Sequence, residues 1–326
     1  MASPASQRPY QEGVEMTTIV NKVDTVAFYG SLVRGDRDRF SDRDVLLVSD
    51  DEAALIEGKA WMEANGFSCA CYSWVKLEFL AGRKALFLQH LKQESRIVMD
   101  KGQKLRSLLS QFSPDSTYTN QIDIARELLS VTECFPDTPY GIGWALDVMA
   151  VGFRNLAILA LANEGKYLFS FSAILAELKK MGMLNSDDVI RLRALRKHKA
   201  SFRQKAYHLL PPKEEVFELR QLVGDVFDTN PSSKLVSEEV FHNFCLQSNP
   251  TFKSSHWYLK ARLYEGAFLG LNLTSPSMDS GTLRRLQAVE NAIASPGCYS
   301  ALFMNSADNL RQEVITLSEQ FRLKAA

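Results

Sequence analysis

Two aspartates, Asp42 and Asp44, stand two residues apart at the mouth of the apolar run Val45-Leu46-Leu47-Val48. If an extended strand begins here, its period of two sends both carboxylates to one face. Close carboxylates repel each other unless a cation lies between them, and a hard cation with oxygen ligands, usually Mg²⁺, is the natural partner. Upstream, Gly30-Ser31 follows the apolar stretch Val23–Phe28. A glycine at that point lets backbone N–H groups approach a phosphate, and the start of a following helix favours negative charge. The Ser31 hydroxyl can donate to a phosphate oxygen, and Arg34, one turn on, can reach the same polyphosphate. The pieces describe one phosphate-and-metal site for a nucleoside triphosphate. A self-paired, solvated loop would account for the four arginines and five aspartates between Tyr29 and Asp50. It would not account for Gly-Ser after a strand or for the register of the two carboxylates.

The surrounding pattern supplies elements to hold such a site. Val23–Phe28 and Val45–Val48 read as short buried strands, Glu52–Ala64 as a helix ending at Asn65-Gly66, and Phe67–Val75 and Arg96–Met99 as further strands around a helical patch at Ala85–Gln93. From about Asn120 the apolar spacing changes to 3.6, over Ile122–Phe135, Gly141–Asn163, Phe171–Met181, Asp187–Leu210 and Glu214–Phe227. Five helices in that space predict a bundle, with Pro211-Pro212 separating the fourth helix from the fifth. Thr229–Ser233 is the best linker, and helical patches follow at Ser255–Leu269 and Leu283–Ala294. The expected fold is therefore α+β: a small mixed-sheet domain over residues 1–115, an α-helical bundle over 116–230 and a further helical C-terminal segment over 231–326.

The pattern G-S-x-x-R-G, a nine-residue gap between Ser31 and Ser41, then S-D-x-D and an apolar strand resembles the signature of the polymerase-β-like nucleotidyltransferase family, particularly its minimal members and the aminoglycoside nucleotidyltransferases. The resemblance covers roughly residues 20 to 110. It implies that Asp42 and Asp44 are catalytic and hold Mg²⁺ on an incoming nucleoside triphosphate. Gly30, Ser31, Arg34 and Ser41 would form the nucleotide-binding set, and a hydroxyl would attack the α-phosphorus to release pyrophosphate. Two departures stand out. Arg43 occupies the position between the aspartates, where the family usually has an apolar residue, and must snorkel, pair or sit at the strand edge. The third carboxylate that many members carry is missing from Cys69–Trp74, and Glu78 and Asp100 are its nearest candidates.

Residues 191 to 210, RLRALRKHKASFRQKAYHLL, contain Arg203 and, five residues on, His208. An R-x-x-x-x-H pattern late in a helix resembles the HEPN family of helical bundles, some of which are metal-independent ribonucleases. By that resemblance His208 would act as acid or base in RNA cleavage while Arg203 stabilises the phosphate. Positions five apart on a helix lie about 140° apart, so such a site would need a second protomer, and the chain would work as a homodimer. Read without the resemblance, His208 is a polar residue at a helix C-terminus, and His198 belongs to a solvated basic face.

Lys+Arg and Asp+Glu are both 38 among 326 residues, so no global basic field advertises nucleic acid. The acceptor of a transferred nucleotide is left among small molecule, protein and RNA, with the first two favoured. Five scattered cysteines without CxxC spacing indicate neither a disulfide framework nor a zinc site, and Cys69 and Cys71 are expected to pack as small apolar residues. Trp74, Trp144 and Trp257 read as packing residues. An N-terminus without an apolar core and a longest apolar run of Leu156–Ala162 point to a cytoplasmic protein with no membrane partner. The leading expectation is a Mg²⁺-dependent nucleotidyltransferase. The alternatives are a HEPN ribonuclease regulated by its nucleotidyltransferase domain and a catalytically inactive nucleotide-binding protein.

Overall fold

The computed structural model describes residues 22–36, 41–230 and 232–247, together with Arg262, Leu263, Gly266 and Thr316. The chain is mixed α and β, and its described residues divide into two compact units, one ending at Asp115 and one beginning at Ser116.

The first unit runs β1 (Thr25–Tyr29), α1 (Ser31–Arg34), β2 (Asp44–Val48), α2 (Glu52–Ala64), β3 (Ser68–Tyr72), α3 (Trp74–Gly82), α4 (Leu86–Glu94), β4 (Ser95–Asp100) and α5 (Lys104–Gln111). Its sheet has the order β3-β2-β1-β4, with β1 antiparallel to both neighbours and β3 parallel to β2. A parallel pair needs a crossover, which α2 provides. Asp51 starts that helix by accepting the Ala54 N–H at 3.1 Å, and Gly66 in the left-handed region ends it.

Both faces of the sheet are covered, which explains why Val45–Val48 is apolar without alternation. Ala27, Leu46 and Val48 pack with Trp74, Leu77, Leu88 and Leu105 on one face. Val26, Phe28, Val45 and Leu47 pack with Ala54, Met62, Cys69 and Cys71 on the other. Each buried Leu or Val here contributes about 1.5–3 kcal/mol. Asp44 has the parity of Leu46 and Val48, so it belongs to the face covered by α3, α4 and α5. The strand expected over Phe67–Val75 stops at Tyr72, because the Ser73 hydroxyl accepts the Lys76 N–H at 3.2 Å and starts α3.

The second unit runs α6 (Thr119–Ser130), β5 (Cys134–Pro136), α7 (Pro139–Asn163), α8 (Phe171–Lys180), α9 (Ser186–Arg203), α10 (Lys213–Phe227), β6 (Lys234–Val236) and α11 (Glu238–Gln247). Helix α7 is its axis and packs against α6, α8, α9 and α10. At Gly152 a Cβ would stand 2.6 Å from Leu129 Cδ2, so only glycine lets α6 approach so closely. By length and composition α7 is apolar enough to cross a membrane, but 72% of its most apolar 18-residue stretch is buried in the fold. Uninterrupted apolar runs understate it because Gly152 and Arg154 punctuate the stretch.

Three expectations for this unit change. The helix predicted over Ile122–Phe135 ends at Ser130, and β5 follows it. β5 pairs in parallel with β6, a strand inside the C-terminal segment expected to be helical. Phe241 of α11 stacks edge-on against Trp144 at 5.0 Å, so the described part of residues 231–326 packs into the second unit. The predicted patch Ser255–Leu269 is described only at three residues, while Leu283–Ala294, Trp257 and Cys298 lie outside the described residues.

Candidate functional site

The turn between β1 and α1 is built around Gly30. Its φ of 69° and ψ of −141° fall in a region that side-chain-bearing residues avoid. Antiparallel pairing of Phe28 with Val45 sets this turn beside the first residue of β2. A Cβ on Gly30 would lie 3.2 Å from Asp44 Oδ2 and 3.7 Å from His90 Nε2. Gly30 and Asp44 are thus brought together as the sequence predicts. Gly30→Ala should cost about 1–3 kcal/mol through its backbone conformation alone and displace the Asp44 carboxylate. A melting temperature equal to that of the native protein would contradict this.

Ser31 opens α1, and its hydroxyl donates to the Asp42 carbonyl oxygen at 3.3 Å, which ties the glycine turn to the segment carrying the aspartates. The strand begins only at Asp44, so Asp42 lies just before it and is exposed, while Ser41 and Asp44 are partly buried. Arg43 solves its position by stacking its guanidinium 3.8 Å over the Phe67 ring and donating from Nη1 to the Asn65 carbonyl at 3.1 Å. The chain therefore presents a glycine turn, a serine hydroxyl and two carboxylates at one end of the sheet, with Arg34 closing the single turn of α1.

Asp100, one candidate for a third carboxylate, does not stand at that end. Asp100 pairs with Thr25 at the opposite end of β1, about 13 Å along the strand from Tyr29. Its carboxylate accepts from Thr25 Oγ1, Leu105 N and Arg106 N, and so it caps α5. Glu78 is exposed on α3. The carboxylate that does arrive is Glu94, one residue before β4, together with His90 one helical turn earlier. Glu94 Oε2 lies 2.9 Å from His90 Nε2 and pairs with Arg34 Nη1. Burial pushes the Glu94 pKa up, but the hydrogen bonds and charges of His90 and Arg34 outweigh it and hold the carboxyl below its ordinary 4.5. Glu94 is ionised at neutral pH. The only hint in the sequence is the four-residue spacing of His90 and Glu94 ahead of a strand.

The second motif is taken apart by the fold. Helix α9 ends at Arg203, so His208 falls in the separate turn Tyr207–Leu209 and is exposed. Arg203 Nε donates to Asp147 Oδ1 at 3.0 Å, and its Nη2 pairs with Oδ2. Asp147 is fully buried in α7 and also takes Arg262 Nη1 at 3.1 Å. Arg203 thus serves an internal ion triad. His198, expected on a solvated face, is buried with Nε2 3.3 Å from Glu215 Oε1. Burial pulls its pKa below 6.5, with the Glu215 charge and hydrogen bond opposing. The unfolded chain therefore binds more protons below about pH 6.5, and stability should fall as pH drops from there. His198→Gln should flatten that loss in melting temperature down to about pH 5, whereas an unchanged slope would clear His198 of the effect.

Among the described residues no cluster of three or more His, Cys, Asp or Glu side chains is arranged to hold a metal ion. Asp42 and Asp44 offer oxygen donors only, the type that suits a hard divalent cation bound through one or two carboxylates with the rest of its shell from phosphate and water. Cys69, Cys71, Cys134 and Cys245 are buried and form no disulfide, and burial pushes the Cys134 thiol up to about 12. No family model, curated relative or solved structure matches the chain.

Proposed function

We propose that the first unit transfers a nucleoside monophosphate from a nucleoside triphosphate to an acceptor hydroxyl and releases pyrophosphate. One observation carries the reading: Gly30, in a conformation reserved for glycine, lets the Asp44 carboxylate lie against the turn that starts a one-turn helix, where a Cβ would stand 3.2 Å from Asp44 Oδ2. That combination suits a phosphate chain bound against a carboxylate, as in the polymerase-β-like nucleotidyltransferases that the motif resembles.

Asp42 and Asp44 would hold Mg²⁺, which when bound supplies positive charge to the α- and β-phosphate oxygens. Gly30, Ser31 and Ser41 would line the phosphate side, and Arg34 would face the terminal phosphates. The acceptor oxygen forms its bond to the α-phosphorus and gives up its proton to water as the bond to the bridging α–β oxygen breaks, and the electron pair leaves with pyrophosphate. The helical unit, whose sequence pattern resembles that of HEPN bundles, is read as a scaffold. Pairing of Arg203 with the buried Asp147 supports packing rather than RNA cleavage for that residue.

The test is incubation with each α-³²P-labelled nucleoside triphosphate, Mg²⁺ and a cell extract split into protein, RNA and small-molecule fractions. Label entering one fraction establishes the transfer and names the acceptor class. Label in none, combined with no binding of any triphosphate, would refute the reading.

A further inference from the structure

Glu94 is tied to the glycine turn twice. Its backbone carbonyl accepts the Gly30 N–H at 3.1 Å, and its carboxylate holds Arg34 at the far end of the same turn. The Gly30 amide is therefore committed to the fold, so recognition of a phosphate falls more heavily on Arg34. That arginine places Nε 3.1 Å from Asp36 Oδ1 and Nη1 against Glu94 Oε2. A guanidinium carries five donors in a rigid plane, so among the described residues these contacts leave the Nη2 edge for a ligand.

The two anchors differ in strength. Asp36 is 43% exposed, and a pair in such a setting holds an arginine weakly. Glu94 is 15% exposed, and its Oε2 is shared with His90, whose ring packs edge-on against Tyr29 at 5.4 Å. His90 is buried and comes from α4, so the support for Arg34 reaches into the core of the unit.

We infer that Glu94 is a positioning residue for polyphosphate: backed by His90, it fixes the Arg34 guanidinium at the Gly30-Ser31 turn so that the Nη2 edge meets the terminal phosphates of a nucleoside triphosphate. This rests on the nucleotidyl-transfer reading. If the phosphate chain runs from the aspartates towards Arg34, only the terminal phosphates meet the guanidinium, and Glu94 then governs the preference for triphosphate over monophosphate.

The experiment is calorimetric titration of the four nucleoside triphosphates and the matching monophosphates, with Mg²⁺, into the native protein, Glu94→Gln, Arg34→Gln and the double variant. Glu94→Gln should weaken triphosphate binding about tenfold, the size of one charge-assisted contact. Monophosphate binding should be unchanged, and Glu94→Gln should add nothing in the Arg34→Gln background. Equal losses for both ligand classes, or a full Glu94→Gln effect without Arg34, would overturn the inference while leaving nucleotidyl transfer standing. Failure of the native protein to bind any triphosphate would overturn both. If Glu94→Gln does not fold, Glu94→Asp enters the same cycle, because it keeps the charge and the backbone bond but shortens the reach to Arg34 by one methylene.

Discussion

Asp44→Asn is expected to lower Mg²⁺-dependent nucleotidyl transfer by at least about 10³-fold, the loss that follows when a site gives up an electrostatic contact worth roughly 4 kcal/mol in the transition state. The amide keeps the size of the carboxylate and removes its charge, so the effect falls on cation binding rather than on shape. Asp44 is the first residue of β2, and its Oδ2 lies 3.2 Å from where a Gly30 Cβ would stand, so the charge is lost at the glycine turn itself. Asp42→Asn should abolish transfer equally. Because Asp42 is exposed, its loss should change stability by no more than about 0.5 kcal/mol. Removing one of two repelling carboxylates should likewise leave the Asp44 variant folded. Labelled transfer and melting temperature, measured on the same preparations, separate the two effects. Full activity in both variants would end the assignment of these aspartates.

The largest loss of stability is expected at Asp147. Its carboxylate is fully buried in α7 between Arg203 and Arg262, and Arg262 is only 2% exposed. Asp147→Asn leaves a buried guanidinium without its counter-charge, which typically costs about 3–5 kcal/mol. For a unit of this size that corresponds to a fall in melting temperature of roughly 6–20 °C. Arg203→Gln should cost far less, about 1 kcal/mol, because Arg203 is 34% exposed and Asp147 keeps its bond to Arg262. Differential scanning calorimetry of the two variants decides the matter, and equal shifts would show that the triad does not act as drawn. The ordering also bears on the second motif, since an arginine held for packing should be replaceable with modest loss.

The helix ends show which parts of the fold were legible. The predicted ends near Ala64, Asn163 and Met181 agree with the structure to within one residue, and in each case a glycine follows: Gly66, Gly165 and Gly182, all with positive φ. Glycine announces the left-handed residue that closes a helix. Helix α9 closes the same way, with Lys205 N donating to Phe202 O and Ala206 N to Ser201 O, but its left-handed residue is Lys205. Lysine carries no such signal, so the apolar spacing extends the predicted helix to Leu210 and puts Arg203 and His208 on one element. Lys84 ends α3 by the same device.

Strand pairing set a different limit. The order β3-β2-β1-β4 puts the start of β4 beside the end of β1, so Glu94 meets Gly30 and Arg34 from about sixty residues away. Asp100, six residues further along the chain, is carried to the far end of the sheet and becomes a helix cap. Spacing along a sequence cannot rank two such carboxylates, because register is decided by which strands pair and in which direction.

The amino-acid sequence by itself determined the local chemistry of this protein: a glycine turn before a serine, two aspartates at the head of an apolar strand, and the change from strand to helix spacing near residue 120. Those features depend on the conformational needs of neighbouring residues, which side-chain type alone expresses. Only the tertiary structure decided which distant charges complete each cluster, Glu94 and His90 at the glycine turn and Asp147 against Arg203 and Arg262. These partnerships depend on burial and on strand and helix packing, where a carboxylate is stabilised by whatever cation the fold delivers to it rather than by its neighbours in the chain.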